Sequence, residues 1–131
     1  MFKERRKFPR VDIRYKINII CQGAVIMGEP QGFVFHTYTE NISESGIRVI
    51  LEKEVQVASL VKLELYITSR SLSPIRCNGI VVWSKRANPE GTKPDLFNTG
   101  IQFIELDKAD QDSIGGIVNG YLEDNNPDQA G

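Results

Sequence analysis

The feature that most constrains this chain is a period-two alternation of apolar and polar side chains, held in short runs with turn residues between them. Val61-Lys62-Leu63-Glu64-Leu65-Tyr66-Ile67 keeps to it closely, as a strand with one buried face does. Gly46 to Glu52 puts Ile47, Val49 and Leu51 on one face, and Tyr15 to Cys21 does the same with Ile17, Ile19 and Cys21. Gly32 to Thr39 is rich in aromatic and β-branched residues, which favour strands. Ile75 to Trp83 and Phe97 to Leu106 supply two more runs. Gly28-Glu29-Pro30 and Ala87-Asn88-Pro89-Glu90-Gly91 carry turn chemistry. Strands at this spacing, with no helix between them, predict an antiparallel sandwich or small barrel.

One helix closes the pattern. Ile114, Ile117, Val118, Tyr121 and Leu122 form a single apolar stripe, and Asp107 or Asp110 can cap its start. Gly115, Gly116 and Gly120 each cost about 1 kcal/mol relative to alanine, so this helix needs docking to persist. The 131 residues suffice for one domain, because a chain of this size buries roughly 68% of its unfolded surface. No apolar run reaches the ~20 residues of a membrane span, and Met1 to Arg6 has no apolar signal core behind it. Cys21 and Cys77 lie far apart in apolar runs, which predicts reduced, buried thiols and a cytoplasmic protein.

A net charge of -1 conceals a polarised chain. Residues 1–16 hold seven bases against Glu4 and Asp12, a net of +5, while residues 105–131 hold seven acids against Lys108, a net of -6. A basic arm on a neutral or acidic body points to a local anionic ligand. A nucleic-acid polymer more often demands a basic face across the domain. Catalysis is not expected: His36 is the only histidine, set within a strand, and no nucleophile elbow, Walker loop or dinucleotide fingerprint occurs.

Two constellations remain. Arg5-Arg6-Lys7-Phe8-Pro9-Arg10 contains Arg-x-x-x-Arg at Arg6 and Arg10. Guanidinium forks match phosphate oxygens or the O6/N7 edge of guanine. Asn41-Ile42-Ser43-Glu44-Ser45-Gly46 is an [Asp/Asn]-x-Ser-x-x-Gly turn. If extended, it puts Asn41, Ser43 and Ser45 on one side, with Gly46 allowing positive φ or close approach of a ligand. The same residues also suit an ordinary polar turn bonding its own backbone.

In that order, the two motifs resemble the signatures of the PilZ domain family, the bacterial receptors for cyclic di-GMP. Asn78 to Trp83 resembles that family's later strand, and Asn98 to Phe103 its closing Gly-x-x-Phe strand before a terminal helix. The resemblance covers Glu4 to about Glu123 and implies a mainly β fold, a six-stranded antiparallel β-barrel with a C-terminal α-helix. It divides the chain into a mobile basic arm (1–12), the barrel and helix (13–124) and a frayed tail (125–131). It implies that Arg6 and Arg10 grip phosphates and guanine edges, with Asn41, Ser43 and Gly46 as the facing wall. Asn41 stands where the family more often has Asp, which keeps the acceptor and removes the charge. Trp83 is either a platform for a purine or a barrel-core tryptophan. Arg5, just before the pair, resembles the version that holds an intercalated pair of cyclic di-GMP molecules.

The function so implied is a non-enzymatic receptor without a cofactor, its ligand being cyclic di-GMP, signalling by arm ordering to a downstream protein. The alternative is a protein-interaction barrel that does not bind nucleotide. No nucleic-acid polymer or membrane insertion is expected.

Overall fold

The alternation read from the sequence becomes inward and outward facing around a closed barrel. The computed structural model describes residues 9–21, 32–67 and 73–124. Its strands are β1 (Lys16–Cys21), β2 (Phe33–Ile42), β3 (Gly46–Leu51), β4 (Leu60–Tyr66), β5 (Ile75–Arg86) and β6 (Phe97–Ile104), followed by helix α1 (Lys108–Asp124). All neighbours are antiparallel, in the order β1-β2-β3-β6-β5-β4, with β4 returning to β1. Of sandwich and barrel, the chain forms the barrel.

The lumen is filled by the inward residues: Ile17 and Ile19 from β1, Ile47 and Val49 from β3, Leu63 and Leu65 from β4, Val81 from β5 and Ile101 from β6, each at most 2% exposed. Ile114 and Val118 of α1 join this core. Ile117 and Tyr121 pack at its margin, but Leu122 is 40% exposed. The apolar stripe therefore buries its first turns and releases its last. Asp107 provides the cap: its Oδ1 accepts the Ala109 N–H at 2.8 Å. Asp110 lies inside the helix instead.

The chain before β1 is tied down further toward the N-terminus than expected. Val11 is 2% exposed, and it exchanges two backbone hydrogen bonds with Ile42, both 2.9 Å. Thr39 Oγ1 then donates to the Ile13 carbonyl at 2.6 Å and accepts the Tyr15 N–H at 2.9 Å. Val11, within the expected arm of residues 1–12, belongs to the core. Residues 1–8, which carry the rest of the arm, and the tail 125–131 lie outside the described residues.

Both cysteines are free thiols, Cys21 buried and Cys77 half-buried. Burial pushes each up to about 11, and the charge of Asp110 adds to the effect at Cys77. Both are poor nucleophiles at neutral pH.

Candidate functional site

The polar turn that joins β2 to β3 is built around Ser43. Its side chain is fully buried, and its Oγ accepts the N–H groups of Ser45 and Gly46 at 3.1 and 3.3 Å, with Ser45 Oγ 3.0 Å away. The Ser43 N–H donates to the Gly46 carbonyl at 2.9 Å. Asn41, Ser43 and Ser45 therefore do not line up on one extended edge. The chain turns at Ser43, and its hydroxyl satisfies the donors that the turn exposes. Gly46 is needed for a different reason than expected. Its φ is not positive, and what approaches it is the Ile101 carbonyl of β6, which any Cβ would strike.

Asn41 faces outward because of a β-bulge. Thr39 pairs with Val49, yet Asn41 pairs with Arg48, so Glu40 is an extra residue on β2. Strict alternation from buried Thr39 would have turned Asn41 inward; the bulge reverses it. The same device acts on β5. Val81 pairs with Ile101 and Trp83 with Gly100, which makes Val82 the extra residue and rotates Trp83 out of the lumen. Its indole lies against Gly100, where a Cβ would collide with Nε1, Cε2 and Cδ1 of the ring. Trp83 is half-buried on the outer surface. The barrel-core reading of this residue is set aside.

The two bulges bring distant residues into one line. Asn41 pairs with Arg48, Arg48 with Gly100, and Gly100 with Trp83, a row across β2, β3, β6 and β5. Asn41 Oδ1 is buried and has no hydrogen-bond partner among the described residues. Arg48 Nη1–H donates to Asn98 Oδ1 at 2.6 Å. Arg10 enters beside this row, one residue before the Val11–Ile42 bridge. Arg5 and Arg6 lie outside the described residues. The structure thus sets Asn41 and Trp83 at the two ends of one four-strand row, brings Arg10 in beside the Asn41 end, and gives Ser43 and Gly46 the task of shaping the turn.

Sequence reading missed Arg48, Asn98 and Gly100. Their signal is cross-strand register, which joins positions some fifty residues apart and which alternation within one strand does not report. The turn also touches the terminal helix, since a side chain at Gly115 would collide with the Glu44 carboxylate. Among the described residues, no three His, Cys, Asp or Glu side chains gather as metal ligands, and no helix is long and apolar enough to cross a membrane.

A family model described as the PilZ domain matches residues 4–120. A search of curated proteins finds no significant match. Among solved structures, the chain is similar to the Bacillus subtilis inhibitor of motility (MotI/DgrA), with a TM-score of 0.72 and 18% identity over 94% of this chain and 53% of that one. It is also similar to the K. pneumonia MrkH–c-di-GMP complex, with a TM-score of 0.61 and 15% identity over 93% of this chain and 54% of that one. At these identities the likeness is one of fold, and the chain spans about half the length of each structure.

Proposed function

The chain belongs to the PilZ domain family, and on that premise we propose that it is a non-enzymatic receptor for cyclic di-GMP, held between the arginine arm and the outer row of the barrel. The observation that carries this reading is the buried Oδ1 of Asn41, without a partner among the described residues, in one row with Trp83. An unmade hydrogen bond at a buried acceptor costs about 1–3 kcal/mol, so the site is built for a donor that the described residues do not supply. The N1–H and N2–H groups of guanine are such donors. Trp83 offers a face for a purine, and stacking of this kind contributes about 1–3 kcal/mol. Arg6 and Arg10 grip phosphates and guanine edges from the arm; Ser43 and Gly46 hold the turn in shape behind Asn41.

The output is ordering of the arm over the nucleotide, passed to a downstream protein in the cytoplasm. Arg5 supplies a third arm guanidinium, which suits an intercalated pair of ligands. Two stacked dinucleotides bring four phosphates together and need the added positive charge. Titration calorimetry with cyclic di-GMP, against GMP and a short oligonucleotide, tests the reading. The expected result is binding of cyclic di-GMP alone, with two ligands per chain and fewer for Arg5→Leu. Absence of binding by the parent protein overturns the receptor assignment; one ligand per chain for both proteins overturns the pair. Amide exchange at residues 3–8 should slow on ligand addition, and unchanged exchange rejects arm ordering.

A further inference from the structure

The register that places Asn41 and Trp83 at the ends of one row places Arg48 between them. Arg14, Arg76 and Arg86 each face a carboxylate, those of Glu40, Glu64 and Asp95 at 3.4, 3.1 and 2.7 Å. Arg48 faces a neutral amide. Its contact with Asn98 Oδ1 engages Nη1 and aims the guanidinium without cancelling its charge, and no ion pair to it exists among the described residues. Its position is half-buried, which limits screening by solvent.

Resting on the receptor reading above, we propose that Arg48 is the residue that selects guanine over adenine, donating to O6 and N7 of the base whose N1–H and N2–H meet Asn41. Paired positions on neighbouring strands lie about 5 Å apart. This spacing suits a base whose donor edge and acceptor edge adjoin, as they do in guanine. The barrel wall repeats that order: an unpaired acceptor at Asn41, then a fork of donors at Arg48. Adenine in the same pose turns its N6–H groups toward the guanidinium, donor against donor, so the wrong base is repelled as well as unsupported. Asn98 is a positioning residue, fixing the fork through Nη1.

The test measures cyclic di-GMP and cyclic di-AMP affinity for the parent, Arg48→Met and Asn98→Ala, with melting temperature as a control for folding. For Arg48→Met, cyclic di-GMP should weaken about 10- to 100-fold while cyclic di-AMP changes little, so that discrimination collapses. Asn98→Ala keeps the cation and should narrow the same ratio to a smaller extent, which guards the test if Arg48→Met folds poorly. Equal weakening for both dinucleotides assigns Arg48 to a phosphate and overturns the proposal, as does unchanged affinity for both. A parent protein that binds neither dinucleotide fails the receptor reading itself, an outcome distinct from a parent that binds cyclic di-GMP with Arg48 playing no part.

Discussion

Two polar rows cross the outside of this barrel, and they dispose of their hydrogen-bonding groups in opposite ways. One runs through His36, Asn18, Glu64 and Arg76 on β2, β1, β4 and β5. In it, His36 Nδ1–H donates to Asn18 Oδ1 at 2.7 Å, Asn18 Nδ2–H to Glu64 Oε1 at 3.2 Å, and Arg76 Nε–H to Glu64 Oε2 at 3.1 Å. Each group answers the next, and little is left over. The Asn18 bond, followed by the Arg76 bond, holds the Glu64 carboxyl below its ordinary range. The other row runs through Asn41, Arg48, Gly100 and Trp83, and among the described residues it ends on an acceptor without a donor beside a cation without a carboxylate. Antiparallel pairing alone creates such rows. Whether one becomes scaffold or site depends on whether its polar groups are consumed within it.

The largest effects should come from charge brought to the second row. Arg6→Ala and Arg10→Ala each remove charge-assisted bonds worth about 1.5–3 kcal/mol, so calorimetry should show cyclic di-GMP affinity falling roughly 10- to 150-fold per substitution. Full affinity in both variants would separate the arm from the site. A sharper comparison applies one chemical change to both rows. Asn41→Ala should weaken the ligand about tenfold while leaving the melting temperature level or higher, because it deletes a buried acceptor with no partner among the described residues. Asn18→Ala should do the reverse, costing about 1 kcal/mol, or roughly 3–5 °C of melting temperature, with ligand affinity intact. If the two variants behave alike, the distinction between the rows is broken.

The smallest effect concerns acid. A carboxyl whose folded value is lowered adds stability that is complete above its unfolded pKa of about 4.3 and is lost as pH falls through the folded value. Glu64→Gln should therefore reduce denaturant stability at pH 7 by about 0.2–1 kcal/mol, and the difference from the parent should shrink as acid protonates the folded-state carboxyl. A deficit that persists in acid would mean the ladder's carboxylate charge contributes nothing.

The strands were legible because alternation is local. The runs expected at 61–67 and 46–52 match β4 and β3 to within one residue at each end. The two bulges were not legible. Glu40 and Val82 look like any other strand residues, yet each inserts one position and reverses the facing of the residues beyond it. That is why Trp83 had two readings from sequence, and why β2 runs on to Ile42 and β5 to Arg86, beyond the expected ends. The turn was recognised as a motif, but the inward Ser43 was not, since only a closed turn lets its hydroxyl collect the Ser45 and Gly46 amides. Arg48 was hidden most deeply. Nothing near it in sequence marks it, and its neighbours Gly100 and Asn98 come from β6, in the closing half of the barrel.

Closure of the β1-β2-β3-β6-β5-β4 cycle also limits how this molecule can be joined by another. An open sheet presents a rim of unpaired amides and carbonyls, onto which a foreign peptide can add itself as one more strand, in regulation or in aggregation. Here each of the six strands already has a neighbour on both sides. A protein that meets the barrel along its doubly paired stretches reads it through side chains and shape, and that recognition will be sensitive to point substitutions on the outer surface in a way that backbone pairing is not.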